Sequence, residues 1–189
     1  AVDRSWDFYM EEIKNVTRVW FLDITPDWDD VLFLKENGVP EIVIIDHHRT
    51  SINKVADILH IDIDETKPIT IKQNGITIIY DPDECGASLT YKTLVNEDYP
   101  LIIELVKDRD LWLNRFENTD AVNDYLFMFT NNVDKMTEIL DKDVSEIATQ
   151  SKILSEYKHM MVKKTKDMWI NAKLYINVNG MKIPAVNSQ

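Results

Sequence analysis

Hydrophobic positions along the chain change period several times, and each change predicts an element. Ser5 to Asn15 carries Trp6, Phe8, Tyr9, Met10 and Ile13, the pattern of a short amphipathic helix with Ser5 as its cap. Thr17 to Ile24 reads as a strand with Asp23 near its carboxyl end. Thr25-Pro26-Asp27 opens a helix running to about Asn37, with Pro26 in the first turn and Gly38 as its stop. Pro40 opens the next strand, whose run Ile42-Val43-Ile44-Ile45 is β-branched throughout. A short unbroken run of this kind predicts a strand buried on both faces, as in a parallel sheet. Two strands joined by one helix form a β-α-β unit, and the right-handed crossover makes them parallel and adjacent, or nearly so.

Thr50 to Leu59 predicts a helix. Pro68–Lys72 and Ile76–Tyr80 alternate in polarity around Asn74-Gly75, which predicts either a hairpin or a strand feeding the sheet edge. Cys85-Gly86-Ala87-Ser88 opens a helix to about Asn96, and Tyr99 to Lys107 predicts another, ending in Asp108-Arg109-Asp110-Leu111-Trp112. Helices follow at Thr119–Phe129, Val133–Leu140 and Val144 to about Trp169. The last has Ile147, Ile153, Leu154, Tyr157, Met160 and Met161 as its apolar stripe, with methionine as core filler. Lys173–Val178 and Met181–Val186 flank Asn179-Gly180, a second hairpin. The expected fold class is α/β: a parallel sheet with flanking helices in residues 1–116, then a helical extension and a β-hairpin in residues 117–189.

The polar residues that interrupt this pattern carry the chemistry. The buried run ends abruptly in Asp46-His47-His48, and ligands in open α/β sheets bind just beyond the carboxyl ends of the strands. Asp23 ends the preceding parallel strand, so it converges with Asp46, His47 and His48 on one rim. Adjacent histidines on an extended segment are expected to point to opposite sides. Asp108 and Asp110, at the end of a buried helix, form a third signal. Gly86 and Ser88, at a helix start, suit a phosphate, with ordinary tight packing as the alternative. His60 and His159 have no acid at ligand spacing and read as structural or exposed. Asp23, Asp46, His47 and Asp108 together make a mixed oxygen and imidazole set suited to Mn²⁺, Mg²⁺, Fe²⁺ or Zn²⁺, and the imidazole favours Mn²⁺. Bridging carboxylates can hold two such ions and activate water for attack on phosphorus.

Composition narrows the partners. The net charge of −12 argues against broad gripping of long duplex DNA, while a short anionic substrate remains accessible through bound cations. One cysteine, Cys85, excludes an intramolecular disulfide and a zinc thiolate cluster, and fits a reducing, cytoplasmic compartment. No apolar run approaches the roughly 18 residues of a membrane helix, and there is no Walker A, Gly-x-Gly-x-x-Gly or Gly-x-Ser-x-Gly pattern.

These motifs resemble the DHH phosphoesterase superfamily, which includes RecJ-type exonucleases, oligoribonucleases, cyclic-dinucleotide phosphodiesterases and family II inorganic pyrophosphatases. Asp46-His47-His48 matches the triplet that names it, and Val19-Trp20-Phe21-Leu22-Asp23 resembles its second motif. Asp108-Arg109-Asp110-Leu111-Trp112, Gly86-Ala87-Ser88 and Ile183-Pro184-Ala185-Val186-Asn187 resemble the oligoribonuclease-like branch. The resemblance implies a hydrolase with a two-Mn²⁺ centre. Asp23 would bridge the ions, and His47 and Asp108 would bind one of them, with Asp110 as the alternative ligand. Asp46 would orient a neighbouring ligand or touch the metal, and His48 would contact the scissile phosphate. Gly86, Ser88 and Arg109 would join His48 in holding substrate. Choosing Asp108 places Trp112 at the spacing where relatives carry an aromatic residue.

The family's first motif has no counterpart before Asp23; Asp3 and Asp7 are acids without the accompanying glycine. Its glycine-rich C-terminal substrate domain is also unmatched. The expectation is a fragment or natural reduction of a DHH protein, acting on short oligonucleotides or linear dinucleotides. The alternative is a non-catalytic module that binds a nucleotide, a metal or a partner, and a pyrophosphatase or polyphosphatase activity is a third reading. An open sheet edge in place of a first strand predicts a homo-oligomer.

Overall fold

The computed structural model describes residues 10–95, 98–172 and 175–184, and side-chain placement is described for all of these except residues 10, 169–172, 176, 183 and 184. The chain divides into two compact units, Ala1–Phe116 and Glu117–Gln189. The first contains α1 (Met10–Ile13), β1 (Arg18–Leu22), α2 (Trp28–Glu36), β2 (Glu41–Asp46), α3 (Arg49–Leu59), β3 (Ile69–Gln73), β4 (Ile76–Tyr80), α4 (Gly86–Val95) and α5 (Leu101–Asp110). The fold is α/β with a small sheet ordered β1-β2-β4-β3. β1, β2 and β4 are parallel, with Leu22 beside Ile45 and Asp46 beside Tyr80. β3 runs antiparallel to β4, so the sheet is mixed rather than wholly parallel. The physical reason is the Asn74-Gly75 turn: both residues adopt positive φ, the geometry of a two-residue hairpin, which obliges the joined strands to reverse. The expected Ser5 cap, and Asp3 and Asp7, lie outside the described residues.

The β2 run is enclosed on both faces, and its alternation sorts the side chains. Ile42 and Ile44 join Val31 and Leu34 of α2, Ile52 and Val55 of α3, and Ile78 and Tyr80 of β4 in the larger core. Val43 and Ile45 face the other way, against Leu89 of α4 and Ile79. Full burial of such side chains stabilises by about 1.5–3 kcal/mol each. That central burial fixes the height of β2 and therefore the place where its last residue, Asp46, leaves the core.

A second, polar anchor ties α4 to α5. The Glu84 carboxylate is buried and receives Lys92 Nζ, Lys107 Nζ at 3.0 Å and the Tyr99 hydroxyl at 3.5 Å. Burial alone would raise its pKa, but hydrogen bonds from Lys92, Ser88 and Lys107 outweigh that and hold it below the usual glutamate value.

The second unit holds α6 (Thr119–Phe127), α7 (Val133–Leu140), α8 (Val144–Ala172) and a hairpin of β5 (Tyr175–Val178) with β6 (Met181–Pro184). α6 packs along α8, and Lys158 Nζ meets Asp124 Oδ1 at 2.5 Å. Val122, Leu126, Ile139 and Ile147 are buried. The expected stripe of α8 is only partly core: Ile147 is enclosed, whereas Ile153, Tyr157, Met160 and Met161 are exposed. The residues that turn inward are small and polar. Ser151 and Ser155 are buried, Ser151 Oγ donates to the Ile147 carbonyl at 2.6 Å, and a reading by hydrophobicity passes over them. Among the described residues, no helix is long and apolar enough to cross a membrane.

Replacing Glu84 by glutamine should lower unfolding free energy by roughly 1.5–3 kcal/mol, the range for hydrogen bonds to charged groups. The wild type carries this stabilisation in full above the unfolded glutamate pKa. It loses it as pH falls through the depressed folded value. Urea melts across the acid range should therefore converge for Glu84→Gln and wild type at low pH and separate near neutrality.

Candidate metal and phosphate site

The site sits where β1 and β2 end, flanked by the start of α4 and the end of α5. Asp46 organises it. Its side chain is buried, and both oxygens are engaged: Oδ1 accepts the backbone N–H groups of His47 (2.8 Å) and His48 (3.1 Å) and lies 2.6 Å from His48 Nδ1. Oδ2 accepts the Thr25 hydroxyl at 2.6 Å. An aspartate accepting from the amide two residues on forms an Asx turn, and that turn ends the strand's alternation. The two histidines therefore do not point to opposite sides: their rings stand 4.3 Å apart, tilted by 48°.

The electrostatics follow from these bonds. Burial pushes the Asp46 carboxyl up, yet hydrogen bonds from Thr25 and His48 outweigh it and hold the pKa below the ordinary aspartate value. His48 is raised, chiefly by its bond to Asp46. Its Nδ1 is committed to Asp46, while about half of the side chain is exposed.

His47 faces a different pair. Its Nε2 lies 3.2 Å from Asp23 Oδ1 and 3.3 Å from Asp110 Oδ2. Ligand atoms of Asp23, His47 and His48 all fall within 4.8 Å of one another. One imidazole nitrogen can donate at most one proton, so His47 Nε2 satisfies only one of these two half-exposed carboxylates, and the other is left to solvent or a cation. Among the described residues no lysine or arginine pairs with Asp23 or Asp110. Burial raises the Asp23 pKa; His47 opposes this, and Asp110 adds to it. An oxygen and imidazole set of this kind is one that could hold a divalent cation.

Backbone geometry aims Asp23. Its N–H bonds the Ile45 carbonyl at 2.8 Å, then the residue turns with φ of 62°. Aspartate tolerates this left-handed conformation better than most residues, and such strain concentrates at functional positions. Gly86 explains how α4 comes so close: a Cβ there would lie 2.3 Å from Asp23 Cβ, Cγ and Oδ1. Gly86 thus clears space for Asp23. Ser88 is buried and reciprocally bonded with Cys85 in a helix-capping arrangement: the Cys85 N–H donates to Ser88 Oγ at 3.0 Å, and the Ser88 N–H to Cys85 Sγ at 3.5 Å. Its hydroxyl is enclosed rather than presented to a substrate.

The two acids of α5 divide. Asp110 reaches His47, and Asp108 takes another role. It is fully buried, accepting from the Arg115 backbone N–H at 2.9 Å and from Arg115 Nε at 3.1 Å. Asp108 therefore fastens the turn after α5, whereas the alternative ligand, Asp110, stands at the cluster. The reason is helical geometry, which places residues two apart on different faces. Arg109, between them, is half-buried, and Trp112 is 83% exposed with φ of 55°. Thr25, Glu104 and Arg115 were not singled out in the sequence. Thr25, two residues after Asp23 on the same rim, carried a positional signal. Arg115 and Glu104 pair with each other only once α5 and its turn are folded.

Comparison with known proteins returns no matching family model, curated protein or solved structure.

Two outcomes test this geometry. Gly86→Ala should cost about 1–3 kcal/mol, the usual range for overpacking, and shift the His47 ring resonances as Asp23 is displaced. Asp46→Asn should return the His48 pKa toward its ordinary value, measured by imidazole NMR. In the wild type this pair stabilises the fold below the unfolded histidine pKa, and the stabilisation fades as pH rises through the elevated folded one.

Proposed function

We propose that this chain carries the centre of a metal-dependent phosphoesterase of the DHH type, acting on short oligonucleotides or linear dinucleotides. The observation that supports it is the convergence of Asp23, His47 and His48 within 4.8 Å, with Asp110 against His47. Asp23, His47 and Asp110 would hold a divalent cation, with Mn²⁺ the best match to the donor set. Such an ion supplies positive charge against the phosphate and lowers the pKa of water. His48, with Nδ1 fixed by Asp46, keeps its other ring nitrogen for a phosphate oxygen, and its raised pKa favours the donor form. Asp46 acts through His47 and His48 as a positioning residue. The acidic chain suits this arrangement, because charge is neutralised locally by the ion rather than by a basic surface.

The non-catalytic alternative draws on a specific feature. Among the described residues a single cluster has metal-ligand geometry, which provides for one ion, whereas the family mechanism uses two.

The test is hydrolysis of a 5′-phosphorylated dinucleotide with Mn²⁺. Asp23→Asn, which tolerates the left-handed backbone, and Asp110→Asn should each reduce turnover by at least the roughly 10–100-fold that loss of an outer-shell partner of a metal site costs. Asp108→Asn should instead lower the melting temperature. Mn²⁺ binding without turnover in the wild type would select the binding module, and the absence of both binding and turnover would refute the proposal.

A further inference from the structure

α8 has two faces of different fate. Ile147, Ala148, Ser151 and Ser155 turn inward, on the side where Lys158 meets Asp124 of α6. Roughly opposite, at helical spacing, Ile153, Tyr157, Met160, Met161 and Met168 form a continuous stripe with Lys164. All five apolar members are exposed, Ile153 to 77%. Scattered exposed apolar residues are ordinary, whereas a contiguous stripe marks a contact surface. The apolar stripe does not by itself say what covers it; the charges beside it do.

Along one edge of the stripe stand Lys152, Glu156, Lys163 and Asp167, all exposed. None of the four makes an ion pair among the described residues. The order is basic, acidic, basic, acidic. Reversed, it becomes acidic, basic, acidic, basic, so the edge complements itself when a second copy lies antiparallel. Lys152 then meets Asp167 of the other chain and Glu156 meets its Lys163, and two-fold symmetry repeats both pairs. Both pairs are centred between His159 and Met160. The apolar stripe has nearly the same centre: Ile153 with Met168, and Tyr157 with Lys164, are centred between Met160 and Met161, one helical rise or about 1.5 Å away. One placement of the axis thus matches the charges, packs methionine on methionine and lays the Lys164 ammonium across the Tyr157 ring of the other chain.

We infer that α8 is a self-association helix, and that its occupant is the α8 of a second copy of this chain in antiparallel orientation. The inference stands on the second unit alone and is independent of the phosphoesterase reading.

Sedimentation of the full chain at about 100 μM should show a dimer, since even a weak two-fold contact of micromolar affinity is populated there. Met160→Lys should give a monomer with an unchanged far-ultraviolet spectrum, because the residue is exposed. Glu156→Lys should raise the dissociation constant about tenfold by setting like charges together in two places. The double variant Glu156→Lys with Lys163→Glu restores both pairs and should return affinity to within about twofold of wild type. A wild-type monomer at that concentration would overturn the inference. So would a dimer indifferent to Met160→Lys, which would place the contact elsewhere, such as the outer strand β1, or a double variant no tighter than the single.

Discussion

The buried carboxylate of Asp46 is the constraint on which the site depends. A carboxylate removed from water must be satisfied by donors or it does not remain ionised. Here the donors are two consecutive backbone amides, one imidazole and the Thr25 hydroxyl. Satisfying them bends the chain at the end of β2, brings two histidine rings together and fixes the face each presents. It also binds the β1 exit to the β2 exit, because Thr25 follows Asp23 by two residues. The hydrophobic run that precedes Asp46 is what makes this rigid: Ile42 to Ile45 cannot slide without exposing one face of the sheet or the other.

Around that constraint, two close approaches complete the cluster. Gly86 allows the start of α4 to touch Asp23, and the turn after α5 is held by Asp108 and Arg115 so that Asp110 reaches His47. Neither Asp108 nor Gly86 donates to the cluster, yet both decide where the donors stand. Residues of this kind look like ligands or phosphate contacts in a linear motif because they neighbour the chemistry in sequence. Only their burial and bonding separate the two roles. The same holds for Ser88, a polar residue at a helix start whose hydroxyl closes a cap with Cys85.

The second unit depends on a different balance. Its long helix places serines inward and methionines outward, the inverse of what hydrophobicity alone predicts. Serine is accommodated inside because its hydroxyl bonds a carbonyl of its own helix, leaving no unsatisfied group. The exposed apolar face and the alternating charges beside it are the features on which the proposed antiparallel self-pairing rests.

Period and local chemistry are properties of short stretches, and on these the sequence was decisive. It placed the β-α-β order, the hairpin at Asn179-Gly180, the enclosed β2 and the rim shared by Asp23, Asp46, His47 and His48, and it left Asn74-Gly75 open between a hairpin and an edge strand. The tertiary structure decided matters that rest on distance between elements or on rotation about a helix. It gave the antiparallel addition of β3, the meeting of both histidines, the presence of Asp110 rather than Asp108 at His47, and the outward face of α8. An offset of two residues on a helix, or the entry angle of α4, has no trace in a hydrophobic pattern. It is set by which neighbours pack against the buried side chains, and that is a property of the assembled core.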